Sequence, residues 1–242
     1  YGPVGIMWFD GEWEASWRGE YGKELYELCI GLQPEVIVNN RLGARGGMEG
    51  MTGMDGYAGG YGGDYMTPEQ EIPDAVDKGI DWETCMTMND RWGYNTLDKN
   101  FKSTTDLLQK LSDIVSKNGN FLLNIGPKPD GTFPEESVQR LAEIGDWMDV
   151  NSEAIHGTVG SPFKELEWGR ATQKFHKDST TLYLHVFDWP SSGWLVIPGL
   201  AGSVLDARIL GGGTVPFTMG AGNVTLAIPR TKHSSDDQIL HF

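Results

Sequence analysis

The chain begins with a short, nearly continuous apolar run that stops at turn-forming residues. Residues 4–9 form this run, and Asp10 and Gly11 follow it directly. Such a run predicts a strand that is covered on both faces in a parallel sheet, with polar side chains at its exit. A second run at residues 36–38 ends in the polar residues 39–41. The pattern therefore predicts two strands whose carboxyl ends carry polar groups.

The segment between these two strands has a helical pattern. Its apolar residues recur at three- and four-residue spacing, and they are Leu25, Leu28, Cys29 and Leu32. Residues at this spacing share one face of a helix, and Pro34 closes the segment because proline does not continue a helix. The three elements together predict a β-α-β unit.

The β-α pattern recurs downstream. Residues 82–88 alternate apolar and polar side chains, and residues 121–125 form another strand-like run. Between them, Ser103 or Thr104 can cap a helix that Gly119 ends. The stripe predicted to be buried in this helix is Leu107, Leu108, Leu111, Ile114 and Val115. A last helix is predicted to carry Val138, Leu141, Ile144, Trp147 and Met148 on one side. Repeated β-α units of this kind predict a (β/α) barrel or a doubly wound sheet.

The pattern changes near residue 158, where short apolar runs separated by Gly, Pro, Asp and Ser replace the helical periodicity. Such runs predict a small antiparallel β-sandwich. We therefore expect an α/β domain at residues 1–158 and an all-β domain at residues 159–242. A complete eight-unit barrel takes about 250 residues. With four or five strands, the first domain is expected to be the second half of a TIM-like (β/α)8 barrel.

Composition and charge exclude several classes of partner. With 19 basic and 34 acidic residues the net charge is −15, which repels phosphate backbones, so no nucleic acid partner is expected. No stretch approaches the roughly 18 apolar residues of a membrane span, so no membrane partner is expected. The five histidines lack the spacing of metal ligands, which predicts no metal site. Cys29 and Cys85 lie in apolar segments and are expected to be buried thiols, which leaves the compartment open.

Residues 43–63 form a glycine-rich segment with ten glycines. Its apolar side chains are Met48, Met51, Met54, Tyr57 and Tyr61. Long loops of this kind are either functional lids or insertions with no role. Both interpretations remain open from the sequence.

Carboxylates among aromatic residues are the strongest candidates for chemistry. Asp10 ends the first predicted strand, where a barrel enzyme displays its catalytic groups, and Trp8 lies two residues before it. Glycoside hydrolysis needs a second carboxyl group, because one group protonates the leaving oxygen while the other attacks the sugar or activates water. Pro68 and Pro73 bracket several acids in a restricted path. The residues alone leave open which acid is the second one: Glu69, Glu71, Glu49 or Glu83.

Three further residues are candidates for binding a sugar. Arg41, at the end of the second predicted strand, can donate a fork of hydrogen bonds to sugar hydroxyls or orient a carboxylate. Trp92 and Tyr94 offer aromatic faces of the kind that sugars stack on. An ordinary ion pair and ordinary core packing are the competing interpretations.

Six motifs occur in the order known from one enzyme family. They are Trp8-Phe9-Asp10-Gly11, Val38-Asn39-Asn40-Arg41, Asp64-Tyr65-Met66-Thr67-Pro68-Glu69-Gln70, the segment 82–90, Trp92-Gly93-Tyr94-Asn95 and the segment 118–127. In this order they resemble the α-L-fucosidases of glycoside hydrolase family 29, over residues 4–158. The resemblance implies a retaining exo-glycosidase that cleaves terminal α-L-fucose from glycans without a cofactor. It also implies a (β/α) barrel followed by a β-sandwich.

The resemblance assigns roles to individual residues. Asp10 is expected to be the nucleophile that forms a fucosyl-enzyme, and Glu69 the general acid and then base, which selects Glu69 over Glu71. Arg41 is expected to bind near the nucleophile. The tryptophans expected to line the sugar site are Trp8, Trp82 and Trp92.

The resemblance also bears on partners and compartment. It places the family's first strands, with the histidines that hold fucose, before Tyr1. We therefore expect the carboxyl-terminal portion of a longer enzyme, which associates with the amino-terminal half or with a second copy. A secreted, periplasmic or lysosomal-type compartment is expected. The competing interpretations are a galactosidase and an inactive, truncated fucosidase that serves as a carbohydrate-binding or assembly module, whose sandwich binds glycans through Trp168, Trp189 or Trp194.

Overall fold

The computed structural model describes residues 2–43, 63–74, 79–200, 202–220, 222–228 and 238–241. Strands and helices alternate at first: β1 (Ile6–Met7), α1 (Gly19–Leu32), β2 (Ile37–Val38), β3 (Trp82–Thr87), α2 (Thr104–Ser116), β4 (Gly119–Asn124) and α3 (Glu135–Asn151), then a 3₁₀ turn (Ser152–Ala154). The elements that follow are β5 (Gly169–Phe175), β6 (Thr180–Val186), β7 (Trp194–Ile197), β8 (Arg208–Ile209), β9 (Phe217–Gly220), β10 (Asn223–Ala227) and β11 (Gln238–His241). This order confirms the predicted succession of a mixed α/β region and a β region. None of the helices in the described ranges is long and apolar enough to cross a membrane.

The chain divides into two compact units. One consists of Tyr1–Thr87 and Asn118–Asn124, and the other of Met88–Lys117 and Ile125–Phe242. The first unit holds α1 and the strands β1 to β4, while the second holds α2, α3 and the strands β5 to β11. The predicted domain boundary at residue 158 stays a prediction.

The strands of the first unit are parallel neighbours in chain order. β1 pairs with β2, and β3 pairs with β4, both in parallel. Between these pairs, Asn39 forms a parallel bridge with Tyr65, and Met66 forms one with Trp82. Residues 65–66 therefore connect β2 to β3 in the manner of a short strand. Because all five segments run in parallel, their carboxyl ends lie at the same edge.

Helix α1 packs on this sheet through part of its predicted stripe. Leu25 and Cys29, one turn apart, contact a core built on Val38 and Leu42. Gly22 lies so close to this core that a Cβ atom there would come within 1.9 Å of the Leu42 carbonyl oxygen. The absence of a side chain at Gly22 therefore allows the helix to approach the end of β2.

In the first unit, part of the apolar stripe of α1 is exposed, and the prediction that the first strand is covered is wrong. Leu28 and Leu32 belong to the apolar stripe of α1 but are 55% and 73% exposed, whereas Leu25 and Cys29 of the same stripe contact the core. Ile6 and Met7 were predicted to be covered on both faces of a strand, yet β1 is exposed on both residues. In the described residues, nothing covers these apolar side chains.

Two residues identified as helix boundary signals, Ser103 and Gly119, have different roles in the structure. Ser103 caps α2, since its hydroxyl accepts a hydrogen bond from the Asp106 backbone N–H at 3.1 Å. Gly119, predicted to end the helix, is instead the first residue of β4, and Asn118 takes the left-handed conformation with φ of 60°. A Cβ atom on Gly119 would lie 2.3 Å from the Trp82 indole. Glycine is therefore required there by packing in the sheet.

The second unit contains two antiparallel sheets. Their strand orders are β5-β6-β11-β8 and β7-β10-β9. Leu184 and Val186 of β6 share one hydrophobic core with Leu195 of β7 and Leu226 of β10. Both sheets therefore contribute their inner faces to the same core.

A buried histidine on β6 is fixed in one tautomer by its surroundings. The Thr172 hydroxyl donates to the Ala154 carbonyl at 2.8 Å, so its oxygen accepts from His185 Nε2 at 3.1 Å. Nδ1 is buried and has no hydrogen-bond partner among the described residues. Burial lowers the pKa of His185 to about 3, so the ring is neutral at pH 7.

This histidine is expected to make stability depend on pH. The stability that the buried, neutral His185 ring contributes is fully present above pH 6.5, the ordinary pKa of histidine. It is lost as the pH falls towards about 3, because the unfolded chain binds a proton there that the buried ring does not. We expect the difference in unfolding free energy between wild type and His185→Leu to decline by about 1.4 kcal/mol per pH unit below pH 6. Urea unfolding followed by circular dichroism at pH 4 to 7 measures this slope. A difference that stays constant with pH would contradict it, and His176→Leu, at an exposed position, is the matched control.

Candidate active site

Two buried asparagines at the end of β2 hold the neighbouring segments in place. The Asn39 side chain accepts a hydrogen bond from the Phe9 backbone N–H and donates one to the Phe9 carbonyl, both at 2.8 Å. The Asn40 side-chain oxygen accepts from the Thr67 backbone N–H at 3.0 Å and from its hydroxyl at 2.8 Å. These bonds fix the chain just ahead of both predicted catalytic carboxylates.

The next residue, Arg41, joins the two carboxylates. Its side chain is only 4% exposed. Nη1 donates to Asp10 Oδ1 and Nη2 donates to Glu69 Oε2, each at 2.9 Å. The structure therefore brings Asp10 and Glu69 together on one guanidinium. The Asp10 side chain is 51% exposed and that of Glu69 15%, so the aspartate is the more accessible of the two.

Further contacts of the guanidinium set its orientation. Nε donates to the Thr67 hydroxyl at 3.0 Å, and Nη2 also approaches the Thr67 carbonyl at 3.3 Å and the Cys85 sulfur at 3.5 Å. The planar guanidinium is thus held by hydrogen bonds to three segments of the chain, which contain Asp10, Thr67 and Cys85 respectively. Arginine suits this position because its donors are rigidly spaced, whereas a lysine ammonium is a single point charge.

The charge on Arg41 is maintained by its neighbours. Burial opposes this charge, but Cys85 and the carboxylates of Glu69 and Asp10 outweigh burial, so the pKa of Arg41 is raised. Burial raises the pKa of the Cys85 thiol to about 11, against the lowering effect of Arg41. Since that thiol is neutral at pH 7, the two carboxylates are the anions that stabilise the guanidinium there.

The structure separates Glu69 from Glu71, which the residue pattern alone left open. Glu69 forms a parallel bridge with Cys85 of β3, and its carboxylate meets Arg41. Glu71 is tied to β3 through its backbone, since its carbonyl accepts from the Thr84 hydroxyl at 2.7 Å. Burial raises the pKa of the Glu71 carboxyl. Of these two acids, Glu69 is the one whose carboxylate shares the Arg41 guanidinium with the predicted nucleophile in the described residues.

The Trp8 ring stacks on the Arg41 guanidinium. Its ring lies 4.7 Å from the Arg41 Cζ atom, a cation–π geometry. Its indole Nε1 donates to Glu83 Oε1 at 3.2 Å. Burial raises the pKa of Glu83, and this hydrogen bond lowers it by a smaller amount. Glu83 is therefore a third carboxyl group beside the site, reached through the tryptophan.

The other predicted tryptophans have different surroundings. Trp82 is 1% exposed, and its indole packs against Gly119, so within the described residues it has no free face for a sugar. Because side chains alternate along a strand, Glu83 and Cys85 lie on the site face of β3. Trp92 belongs to the second compact unit and is 41% exposed. Its place in the wall of a sugar site stays a prediction.

The remaining candidates contribute less. Of the two acids in the loop after Asp10, Glu14 is exposed and Glu12 is 3% exposed. The glycine-rich segment, with Glu49 in it, lies almost entirely outside the described residues, so the lid stays a prediction. The described ranges contain no group of three or more His, Cys, Asp or Glu that could hold a metal ion.

Removing the shared guanidinium is expected to destabilise the fold. Arg41→Met should lower the free energy of unfolding by about 2–3 kcal/mol, because Glu69 and Thr67 lose a buried charged donor. Urea unfolding followed by circular dichroism measures the loss. Lys23→Met is the control, since Lys23 forms an exposed ion pair with Glu27 at 3.7 Å. This substitution should change the free energy of unfolding by less than about 0.5 kcal/mol. Equal losses in both variants would contradict the role given to Arg41.

The sequence model of the alpha-L-fucosidase family matches residues 1–153. The chain belongs to the alpha-L-fucosidase family. Both predicted catalytic carboxylates and Arg41 lie inside the part that matches this family.

Curated members of the alpha-L-fucosidase family align over most of the chain. The alpha-L-fucosidase of Dictyostelium discoideum is 31% identical over 218 residues, and human tissue alpha-L-fucosidase is 28% identical over 199 residues. The alignments cover 85% and 78% of this chain but 43% and 39% of those relatives. The chain thus spans about two fifths of their length.

Solved structures of fucosidases resemble the whole chain. Alpha-L-fucosidase isoenzyme 1 from Paenibacillus thiaminolyticus is 32% identical with a TM-score of 0.84, covering 100% of this chain and 58% of that one. A GH29 alpha-L-fucosidase from Bacteroides thetaiotaomicron is 28% identical with a TM-score of 0.81, covering 98% of this chain and 56% of that one. That protein was trapped as a covalent intermediate with 2-fluoro-fucosyl fluoride in a glutamate-to-glutamine mutant.

Proposed function

We propose that this chain carries the catalytic pair of a retaining exo-α-L-fucosidase, with Asp10 as the nucleophile and Glu69 as the general acid and base. The observation that carries the proposal is the Arg41 guanidinium, which holds both carboxylates at 2.9 Å. Retention requires two carboxyl groups about 5 Å apart across the anomeric carbon, and a shared guanidinium favours a separation of that order. Membership of the family supports fucose as the sugar.

The proposed reaction has two steps that use the same pair. In the first, Asp10 attacks the anomeric carbon while Glu69 donates a proton to the leaving glycosidic oxygen, and the C–O bond breaks. In the second, Glu69 takes a proton from water, which attacks the same carbon and releases Asp10. Two inversions give net retention. The greater exposure of Asp10, at 51%, supports its direct approach to a sugar.

Arg41 and Trp8 complete the proposed site. The guanidinium keeps the two carboxyl groups in a fixed relation, which lowers the cost of reaching the transition state. The Trp8 ring offers an aromatic face at the edge of the pair, suited to the apolar side of a deoxy sugar. Trp92 remains a proposed part of the wall, while the burial of Trp82 supports a role in holding the sheet.

The proposed architecture is the second half of a (β/α)8 barrel followed by a β-sandwich, with the boundary near residue 158. Parallel pairing in chain order from β1 to β4 supports the barrel, and the shared core of two antiparallel sheets supports the sandwich. The proposed partners are a fucosylated glycan as substrate and the other half of the barrel, or a second copy of the chain. Exposed Ile6 on β1 supports such an association.

Hydrolysis of 4-nitrophenyl α-L-fucoside by the 242-residue chain tests the proposal. We expect release of nitrophenol from the fucoside and none from the 4-nitrophenyl galactosides. We also expect free fucose to inhibit the reaction and galactose not to inhibit it. Release from a galactoside would overturn the sugar assignment. Fucose binding by calorimetry without turnover would instead favour a carbohydrate-binding module.

A further inference from the structure

Glu83 is the carboxyl group of the site that the proposed reaction does not use. It is the second residue of β3, and its side chain accepts the indole N–H of Trp8 at 3.2 Å. The two residues are far apart in sequence and lie on different segments of the same compact unit. The hydrogen bond therefore ties the residue after β1 to β3 through a ring that also contacts Arg41.

The surroundings of Glu83 distinguish it from a catalytic acid. Its carboxylate accepts a hydrogen bond from Trp8, whereas the carboxylates of Asp10 and Glu69 both accept from Arg41. Its electrostatic neighbours include the Tyr65 hydroxyl and the Cys85 thiol, and burial raises the pKa of both. Both neighbours are therefore neutral at pH 7.

The Trp8 ring is the link between Glu83 and the guanidinium. An indole ring can take several rotamers, and a hydrogen bond to its single N–H removes that freedom. With Nε1 bonded to Glu83, the ring face lies 4.7 Å from Arg41 Cζ. Cys85, two residues along the same face of β3, contacts Arg41 at 3.5 Å. One face of β3 thus supports the guanidinium both directly and through the tryptophan.

We propose that Glu83 is a positioning residue, which holds the Trp8 ring over Arg41 and so keeps the aromatic wall of the sugar site in register with the catalytic pair. The consequence for turnover rests on the proposed function, while the consequence for Trp8 does not. Any hydrogen-bond acceptor of the same shape should serve. A glutamine is therefore expected to replace Glu83 much better than an alanine.

The test compares Glu83→Gln and Glu83→Ala in ¹⁵N-labelled chain, with Glu24→Ala on the exposed face of α1 as the control. Nuclear magnetic resonance of the nine tryptophan indole N–H groups reports the bond, and Trp8→Phe identifies the Trp8 signal. We expect this signal to lose its exchange protection and shift in Glu83→Ala, and to stay protected in Glu83→Gln and in the control. An unchanged Trp8 signal in a folded Glu83→Ala chain would overturn the proposal.

Kinetics give a second, separate readout. We expect kcat/KM for the nitrophenyl fucoside to fall about tenfold in Glu83→Ala and to be largely restored in Glu83→Gln, as for one lost hydrogen bond. Equal loss in both variants, larger for poor leaving groups, would identify Glu83 as an acid catalyst and overturn the positioning role. If wild type shows no turnover, the proposed function fails, while the resonance experiment still decides the role of Glu83.

Discussion

Replacing Asp10 by alanine is expected to reduce fucoside hydrolysis by at least about 10³-fold, because the proposed fucosyl-enzyme cannot form without the Asp10 carboxylate. The rate of nitrophenol release measures this loss. The fold should persist, since the Asp10 side chain is 51% exposed. Glu14→Ala, an exposed acid in the same loop, is the matched control and should retain turnover.

The Asp10→Ala variant also allows a chemical check of the role. A small anion such as azide can occupy the space of the lost carboxylate and attack the anomeric carbon directly, which gives one inversion. We therefore expect azide to restore some turnover and to yield β-fucosyl azide. Unimpaired hydrolysis in Asp10→Ala, or an α-azide product, would contradict the assignment of Asp10 as nucleophile.

Replacing Glu69 by alanine is expected to give a loss that depends on the leaving group. A glycan alkoxide needs protonation as it leaves, so its hydrolysis should fall by about 10²–10⁴-fold. A nitrophenolate leaves with little help, so formation of the fucosyl-enzyme from the aryl fucoside should be affected much less. Rates for a fucosylated oligosaccharide and for the nitrophenyl fucoside, measured on the same preparation, give this comparison.

Azide and a neighbouring acid serve as controls for Glu69. In Glu69→Ala, azide can replace the water that Glu69 would activate, and it attacks the fucosyl-enzyme to give α-fucosyl azide, opposite to the product from Asp10→Ala. Glu71 lies in the same segment, between Pro68 and Pro73. Any loss of rate in Glu71→Ala should not depend on the leaving group. If Glu71→Ala showed it and Glu69→Ala did not, the acid–base role would belong to Glu71.

The sequence predicts where strands end more accurately than it predicts which side chains from different strands contact each other. Asp10 and Arg41 could be placed at strand ends because Asp10 directly follows an apolar run and Arg41 lies in the polar segment that follows another, and the structure brings them within 2.9 Å. That Arg41 orients a carboxylate is one of the three interpretations that the pattern allows. The contribution of Thr67 could not be predicted, because it depends on the register that Asn40 sets between separate segments.

Packing explains the predictions that were wrong. The apolar periodicity of α1 identifies a helix, but it does not tell which part of a wide stripe meets the sheet, so Leu25 is covered while Leu28 is exposed. Glycine signals are also ambiguous, since Gly119 satisfies the packing of Trp82 and does not end α2. Glu83 was named only as a competing acid, because its bond to Trp8 depends on the side-chain alternation of β3.

Covalent labelling tests the central proposal most directly. The Glu69→Gln chain is incubated with 2-fluoro-fucosyl fluoride, whose fluoride leaves without an acid and whose 2-fluoro group slows release of the sugar by destabilising the oxocarbenium-like transition state. Intact mass and peptide mapping then locate the adduct. We predict one 2-fluoro-fucosyl group on Asp10 and none in the Asp10→Ala, Glu69→Gln double variant. An adduct on another carboxylate, or no adduct on a folded chain that binds fucose, would contradict the proposal.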